Sequence, residues 1–548
     1  MTRRGTRTAV APLTYGRAVN RDAADADVLV VGYGPVGQVL SILLAQRGWR
    51  VTVVEKYVDP YNLPRAVSFD RHVGRILGTI GVADALAPVS EPTKDYVVVN
   101  GDGRTLMHFE LNQDDRYRWP EATSFYQPGL ESALVGRGSQ LRNLRVLRGY
   151  EAVGLTEEDD SVRLTVRAAA GDEVLAARWL VGCDGANSFV REHLGVTVSA
   201  SDYAADWMAC DVMPHDPEAF PSQNVQVADP AQPRVDLSAG PRHSRWEFLR
   251  PPGQSFEDFD TVENAWRLLT HFGIDRGNAT LQRYVAYTCL GRNADRWRSG
   301  DSGRVFLAGD AAHVMPPHAG QGMCTGIRDV ANLAWKLHLV LAGSAGQELL
   351  ATYEAERRPD AQRTIDMSVN LGELIGTVDP AVAGYRDSAL LAARGSDDAP
   401  SRDPEAFARP GEEAVKAGLF QPAADGLFTG ADSRIVPQAR SNRADGGELC
   451  GNDLVLLTLE DPRTLVEPGL AERLGALGGS VVHLTPEVDV DGTYTAWLTE
   501  EVGARAALVR PDFHVYGAAR TPGETTRLLT GLLAATGADA AVFQDLGL

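Results

Sequence analysis

A glycine-rich turn between a short apolar run and a helical pattern constrains the fold of this chain more than any other sequence feature. Residues 27–32 read DVLVVG, a continuous apolar run of the kind that a strand buried on both faces requires. Residues 35–48 carry apolar side chains at helical spacing, and residues 50–55, RVTVVE, predict a second buried strand. Residues 27–55 therefore predict a compact βαβ unit with a right-handed crossover.

The turn of this unit, GYGPVG at residues 32–37, has the spacing GxGxxG. Gly32 permits the tight turn, Gly34 lets a pyrophosphate approach the backbone, and Gly37 lets the helix and strand pack closely. The N-terminus of the helix offers free N–H groups and a positive dipole. Glu55 ends the second strand 18 residues after Gly37, where a carboxylate can accept hydrogen bonds from an adenosine ribose. The motif predicts a dinucleotide site without indicating which dinucleotide.

Composition restricts the classes of partner. The chain has 548 residues, enough for about two to four domains. It carries 53 Lys and Arg against 73 Asp and Glu, a formal net charge of −20, so we expect neither a nucleic-acid nor a membrane partner. No apolar run approaches the length of about 18 residues that a membrane span needs. Residues 1–24 show no periodicity and are expected to form a flexible extension.

The cysteines and histidines predict no metal site and no disulfide. The five cysteines are widely spaced, with no CxxC pair and no Cys/His pairs at zinc spacing. The 11 histidines form no HxxxH or HExxH pattern. We therefore expect a reducing, cytoplasmic location.

Further strands are predicted far from the first unit. Residues 178–183 and 304–308 are apolar runs that lead directly into Gly/Asp turns, and we expect both to join the first sheet. Residues 200–300 contain alternating segments rich in aromatic side chains, which predict an inserted antiparallel sheet that forms a substrate layer.

Helices are predicted after these strands. The pattern is helical over residues 321–341 and 349–369, and we expect Pro359 to kink or break the second helix. Residues 375–430 are rich in Asp, Ala, Gly and Pro and predict a connecting region. Apolar runs beyond this region predict a smaller, separate α/β unit.

Two motifs downstream of the turn indicate the class of dinucleotide. Residues 183–188 read CDGANS, with Arg191 following, and residues 309–313 read GDAAH. Each places an Asp at the carboxyl end of a predicted parallel strand, the edge at which such sheets bind ligands. In this order, over residues 27–375, the three motifs resemble those of the flavoprotein aromatic hydroxylases, the single-component FAD monooxygenases typified by para-hydroxybenzoate hydroxylase and phenol hydroxylase.

The resemblance implies an α/β multidomain fold with a Rossmann-like FAD-binding domain, an inserted antiparallel β-sheet substrate domain and a C-terminal thioredoxin-like domain. The last of these lacks a CxxC pair and so cannot perform dithiol chemistry. The expected division of the chain is a flexible extension (1–24), a discontinuous FAD-binding domain (25–200 and 300–375), a substrate-binding domain (200–300), a connecting region (376–430) and the thioredoxin-like domain (431–548).

The implied activity is hydroxylation of a phenolic ring. NADH or NADPH would reduce FAD, and O2 would form a flavin C4a-hydroperoxide that oxygenates a small aromatic substrate. The segment MPPHAGQGM at residues 315–323 and NLAWKL at residues 332–337 look especially like 3-(3-hydroxyphenyl)propionate hydroxylases. Tailoring hydroxylases of aromatic polyketides share much of this pattern, so natural-product hydroxylation or epoxidation stays open. The family also implies a possible homodimer.

The resemblance also assigns residues. We expect His318 and Pro316 to lie at the catalytic centre, and His243, Trp246 and Tyr287 are further candidates to contact a phenol. The family pattern commonly has Asn where this chain has Cys324, which we interpret as a small buried residue at a helix start. The residues expected to bind the cofactor are Gly32, Gly34, Pro35, Val36, Gly37, Glu55, Lys56, Arg65, Gln127, Val153, Asp184, Gly185, Gly309, Asp310, Pro317, Gly320, Gly322, Met323 and Cys324.

Other classes fit less well. A two-dinucleotide reductase needs a second GxGxxG and a disulfide reductase needs a cysteine pair, and the sequence contains neither. A flavin-containing binding protein without turnover is the non-enzymatic alternative, but it would be expected to have a degenerate segment at residues 316–323, which here matches the family pattern.

Overall fold

A computed structural model describes residues 25–60, 63–111, 117–219, 224–300, 303–394, 435–438 and 448–537. The predicted extension at residues 1–24 and most of the predicted connecting region lie outside these ranges. Within them, no helix is both long enough and apolar enough to cross a membrane.

The strands, in chain order, are β1 (Ala26–Val31), β2 (Val51–Glu55), β3 (Ser68–Asp70), β4 (Ser90–Pro92), β5 (Asp95–Asn100), β6 (Thr105–Glu110), β7 (Ala122–Phe125), β8 (Leu144–Arg148), β9 (Glu151–Glu157), β10 (Val162–Ala168), β11 (Gly171–Gly182), β12 (Val198–Pro214), β13 (Asn224–Ala228), β14 (Arg234–Ser238), β15 (Ser244–Leu249), β16 (Ala279–Ala294), β17 (Val305–Leu307), β18 (His313–Val314), β19 (Val455–Thr458), β20 (Ser480–His483), β21 (Ala506–Val509) and β22 (Val515–Ala519).

The α-helices are α1 (Pro35–Gln46), α2 (Arg71–Thr79), α3 (Ala83–Leu86), α4 (Gln127–Ser139), α5 (Phe189–His193), α6 (Phe256–Phe259), α7 (Val262–Thr270), α8 (Gly322–Leu341), α9 (Ala351–Ile375), α10 (Pro380–Arg394), α11 (Pro462–Leu465), α12 (Pro468–Ala476), α13 (Thr493–Ala496) and α14 (Pro522–Ala535).

The first sheet contains the predicted βαβ unit. Its strand order is β8-β2-β1-β11-β10-β9, and β17 pairs with β11. Strand β1 pairs in parallel with both β2 and β11, and β11 pairs in parallel with β17, so the two distant apolar runs join this sheet as predicted. Every residue of β1 and β17 is buried, which explains why both runs are continuously apolar.

The second sheet is largely antiparallel and has the order β18-β16-β12-β15-β14-β13-β5-β6. Five of its strands, β12 to β16, come from the predicted inserted segment, which confirms the antiparallel sheet. Two others, β5 and β6, precede that segment by about a hundred residues, and β5 pairs in parallel with β13. Short-range alternation could not reveal this pairing, because it depends on contacts between distant parts of the chain.

Strand β18 links the two sheets. The chain leaves β17 in the first sheet, makes one 3-10 turn at Gly309–Ala311, and pairs with β16 through Arg292 and Asn293. It then makes a second 3-10 turn at Pro317–Ala319 before α8 begins. The segment from β17 to α8 is therefore held by the first sheet at its start, by β16 of the second sheet at β18, and by α8 at its end.

Pro359 does not break its helix, although a break was one of the two outcomes expected from sequence. Helix α9 is continuous over 25 residues, with Pro359 inside it. Arg357 bonds Asp329 of α8 at 3.0 Å and Asp360 at 2.6 Å, and all three side chains are buried. These ion pairs connect the turns on either side of the proline to each other and to α8.

The C-terminal unit is a four-stranded sheet of order β20-β19-β21-β22, in which only β19 and β20 are parallel. Its thioredoxin-like identity stays a prediction, as do the exact domain boundaries. Helix α10 occupies part of the predicted connecting region. Hydrogen bonds from Arg510 to Glu356 and from Asn332 to Asp512 join this unit to α9 and α8.

Candidate active site

A cavity of about 800 Å³ lies between the carboxyl edge of the first sheet and one face of the second. Most of the residues that the sequence assigned to a site line it, and so does Tyr287. The predicted residues on its wall are Gly32, Gly34, Pro35, Val36, Glu55, Lys56, Arg65, Gln127, Asp184, Gly185, Asp310, Pro317, His318, Gly320, Gly322 and Met323.

Five of the residues expected at the catalytic centre or at the cofactor do not line the cavity. Gly37 packs inside the turn, and Gly309 donates its N–H to Asp329 at 3.1 Å. Val153 lies at an irregularity of the pairing between β9 and β10, and the cavity wall includes Glu151 and Ala152 but not Val153. Cys324 is fully buried, with Sγ 3.9 Å from the carbonyl oxygens of Ser68 and Gly320. Pro316 is also absent from the cavity wall, and no contact among the described residues explains its absence.

The glycine turn forms a cradle that side chains would fill. A Cβ at Gly32, whose φ is +98°, would lie 2.4 Å from the carbonyl oxygen of Cys183, and one at Gly37 would lie 2.1 Å from that of Gly32. At Gly34 nothing lies within 4 Å of the Cβ position. Helix α1 has no side-chain cap at this end, so its first N–H groups face open space. This arrangement fits a pyrophosphate.

Glu55 lies beside the cradle at the end of β2. Its carboxylate accepts the backbone N–H of Tyr33 at 2.8 Å and that of Tyr57 at 2.9 Å. These two bonds fix the carboxylate between the turn and the cavity, where it retains lone pairs for a ligand hydroxyl.

The segment around Arg65 is held from two sides. Gln127 Oε1 accepts the backbone N–H groups of Arg65 and Ala66 at 2.7 and 2.6 Å. From the second sheet, Arg245 donates to the carbonyl oxygens of Pro64, at 3.0 Å, and of Arg65. The backbone of this segment is therefore fixed while the Arg65 side chain remains exposed at the cavity.

The two aspartates at strand ends differ in their surroundings. Asp184 accepts hydrogen bonds from Ser188 Oγ at 2.6 Å and from the N–H of Val190 at 3.1 Å, so its carboxylate orders its own loop. Asp310 is exposed on the cavity wall but lies deep below the protein surface, and this burial raises the pKa of its carboxyl. Both aspartates line the cavity, but the hydrogen bonds that tie a carboxylate to its own loop are those of Asp184.

His318 lies in the turn that precedes α8. Its Nε2 is 3.0 Å from the hydroxyl of Tyr203, and its ring meets that of Trp207 edge-on at 5.0 Å. Burial lowers the pKa of His318 to about 4, so the ring is neutral near pH 7. Burial also raises the pKa of Cys324 to about 12, which keeps it a thiol.

Strand β15 separates two sets of side chains. Arg245 and Glu247 face the cavity, whereas Trp246 and Phe248 point to the other face and stack with Phe272. Trp246 is therefore not a wall residue, contrary to the sequence-based candidate.

His243 is not on the wall either, because its ring stacks on Tyr126 at 4.0 Å. Of the predicted phenol contacts, Tyr287 and His318 reach the cavity.

Sequence reasoning missed Glu247. It is 4% exposed, and its Oε2 accepts the hydroxyl of Tyr287 at 3.2 Å. The detectable signal was an acid between two aromatic residues in the run WEF, since period-two alternation places such an acid on the face opposite the rings.

The parallel strands of the first sheet, the phosphate cradle and the cavity that opens onto a second sheet together define a dinucleotide-binding protein. The fit to FAD rests on the open space at Gly34, the carboxylate of Glu55 and the exposed Asp310.

Comparison with known proteins identifies the family. The model of the FAD binding domain family matches residues 25–368. A probable NADH-specific resorcinol 4-hydroxylase of Rhodococcus jostii is 34% identical over 93% of this chain and 95% of its own length. A 3-(3-hydroxy-phenyl)propionate/3-hydroxycinnamic acid hydroxylase of Mycobacterium sp. (strain JLS) is 32% identical over 94% of this chain and 93% of its own.

Solved structures agree on the fold. The flavin-dependent monooxygenase PieE, in complex with FAD and substrate, superposes with a TM-score of 0.75 at 23% identity, covering 94% of this chain and 100% of that one. The OxyS anhydrotetracycline hydroxylase of Streptomyces rimosus superposes with a TM-score of 0.72 at 26% identity, covering 93% of this chain and 99% of that one. The chain belongs to the FAD binding domain family and is an FAD-dependent flavoprotein aromatic hydroxylase.

Proposed function

We propose that this protein uses NADH and O2 to hydroxylate a small phenol, of the resorcinol or 3-(3-hydroxyphenyl)propionate type. The observation that carries the proposal is the single cavity that runs from the glycine cradle to the buried polar wall of the second sheet. Similarity over nearly the full length to two curated hydroxylases of small phenols supports the substrate class. The name of the first of these supports NADH over NADPH.

In this proposal the chain holds FAD along the first sheet. Gly32, Gly34 and the start of α1 bind the pyrophosphate, and Glu55 binds the adenosine ribose. Asp310 binds the ribityl hydroxyls, and Arg65 lies near the phosphate. When bound, FAD accepts a hydride from the nicotinamide and activates oxygen for transfer to the ring.

The protein's own part is to orient the phenol, exclude water and manage its proton. The N-terminus of α8, after Gly320, offers N–H groups that stabilise negative charge on the flavin ring. His318 is neutral, so it serves as a hydrogen-bonding wall residue rather than as a cation near pH 7. The apolar side chains of Val235, Leu237 and Leu371 keep the substrate end of the cavity dry.

A second candidate is a natural-product tailoring monooxygenase. It is favoured by the solved structures of PieE, of an aklavinone-11 hydroxylase complex and of OxyS, which cover 93–94% of this chain. Against it, the two curated relatives that align over nearly the full length of this chain are named as hydroxylases of small phenols.

We also propose a cytoplasmic location and a homodimer. All five cysteines are free thiols, which supports a reducing compartment. The dimer rests on the family resemblance alone.

The test begins with the absorption spectrum of the purified protein. NADH and NADPH oxidation are then measured with and without resorcinol and 3-(3-hydroxyphenyl)propionate, together with hydrogen peroxide. We expect bound FAD and fast NADH oxidation with little peroxide for one of the two phenols. Bound FAD with slow or uncoupled oxidation would favour the tailoring function, and a protein that takes up no FAD would refute both.

A further inference from the structure

Three neighbouring strands place a buried acid and a tyrosine on the same wall. Ala209 of β12 lies opposite Glu247 of β15 on one side and Val285 of β16 on the other. Two residues along, Trp207 lies opposite Tyr287. Because position 209 carries only a methyl group, Glu247 and Tyr287 meet across β12, and all three of Ala209, Glu247 and Tyr287 line the cavity.

This wall lies next to the segment expected to face the flavin. His318, in the turn before α8, packs its ring against Trp207 at 5.0 Å. Trp207 is the cross-strand neighbour of Tyr287. A ring lying between the turn and the second sheet would therefore have Glu247 and Tyr287 within reach.

The two oxygens of Glu247 have different surroundings. Oε2 accepts the Tyr287 hydroxyl, whereas Oε1 lies 3.8 Å from Nη1 of Arg245, beyond hydrogen-bond distance. Arg245 is instead committed to Asp211, which it contacts at 2.7 and 3.1 Å, and to the backbone of the Arg65 segment. The guanidinium thus pairs with Glu247 only at 3.8 Å and donates no hydrogen bond to Oε1, which remains an acceptor on the cavity wall.

We propose that Glu247, oriented by Tyr287, binds the hydroxyl of the phenolic substrate and selects ring compounds that can donate a hydrogen bond there. Oε1 accepts the substrate hydroxyl while Oε2 keeps the bond from Tyr287. This assignment rests on the proposed hydroxylase function and deepens it by naming a specificity residue.

The test compares two ligands that differ in donor capacity and, by two methyl groups, in size; because both are measured with every variant, the difference in size largely cancels when the ratios of the variants are compared. The FAD-loaded protein is titrated with resorcinol and with its dimethyl ether, 1,3-dimethoxybenzene, and binding is followed by the change in flavin absorbance. The readout is the ratio of the two Kd values, which requires no turnover. Glu247→Gln should reduce the preference for resorcinol by about tenfold, since an amide NH2 group replaces one carboxyl oxygen and cannot accept the substrate hydroxyl. Tyr287→Phe should reduce it by about threefold through loss of orientation.

Asp236→Asn is the matched control. Asp236 is a half-buried acid of the same sheet, on β14, and it does not line the cavity, so the preference should be unchanged. The FAD content and Tm of each variant establish folding, and if Glu247→Gln does not fold, Tyr287→Phe carries the test. An unchanged preference in the folded Glu247 variant, or in Tyr287→Phe when it stands alone, would overturn the assignment.

Equal loss in Asp236→Asn would also overturn the assignment. Failure of the proposed function is read separately, as absence of phenol-stimulated NADH oxidation in the wild type.

Discussion

Replacing Glu356 by Gln should destabilise the protein more than any single loss of a surface charge. Glu356 is fully buried at the junction of α8, α9 and the C-terminal unit. It accepts hydrogen bonds from Arg510 Nη2 and Asn332 Nδ2, both at 2.7 Å, and pairs with Lys336 Nζ at 3.0 Å. Neutralising it removes a carboxylate that Lys336 and Arg510 both contact and leaves these two cations to share Asp512.

The magnitude follows from two losses. A hydrogen bond between a guanidinium and a carboxylate contributes about 1.5–3 kcal/mol. Burial already lowers the pKa of Lys336 to about 8, so at pH 7 the lysine can release its proton for about 1.4 kcal/mol, and this limits the cost of leaving it unpaired. We therefore expect Glu356→Gln to lower the free energy of unfolding by about 3–4 kcal/mol, close to the range for broken buried pairs.

Urea unfolding followed by circular dichroism and by release of FAD measures this change. The exposed pair of Glu158 and Arg163 supplies the control, since Glu158→Gln should cause no measurable change. Adding Lys336→Met to Glu356→Gln should restore part of the lost stability by removing the unpaired charge. A loss below about 1 kcal/mol in Glu356→Gln, or no recovery in the double variant, would refute the reasoning.

Three further predictions concern the cofactor site and pH. Gly37→Ala should abolish FAD binding, measured by flavin absorbance, because its Cβ would lie 2.1 Å from the Gly32 carbonyl oxygen; Gly136→Ala, where nothing lies within 4 Å, is the control. Gln127→Met should weaken FAD binding about tenfold in fluorescence titration, since two N–H groups of the Arg65 segment lose their acceptor. Stability should fall as pH drops from 6.5 to 4, by up to about 1.4 kcal/mol per pH unit for each buried histidine.

The sign of the pH effect follows from the direction of the shifts. Burial lowers the pKa of His318 and of His338 to about 4 and that of His72 well below its usual value. Between about pH 4 and 6.5 the unfolded chain therefore binds more protons than the native protein, and acid favours unfolding. His318→Gln should flatten this slope in urea unfolding at several pH values. An unchanged slope would show that His318 does not titrate as its burial requires.

For the cofactor half of the protein, the amino-acid sequence alone was sufficient to predict the local structure. The GxGxxG turn, the apolar runs and Glu55 act within about thirty residues of one another, where backbone sterics and hydrophobic periodicity dominate. The strands predicted at 178–183 and 304–308 joined the same sheet, because a run that is apolar on both faces is stable only inside a covered parallel sheet.

Tertiary contacts decided the rest. Glu247 and Tyr287 lie 40 residues apart and meet because Ala209, from a third strand, leaves room between them. The same holds for Pro359, which lies inside a continuous helix where Arg357 pairs with Asp329 of α8 and with Asp360 of the next turn. Local patterns determine which face a side chain occupies, but only the packing of distant strands and helices determines what that side chain meets.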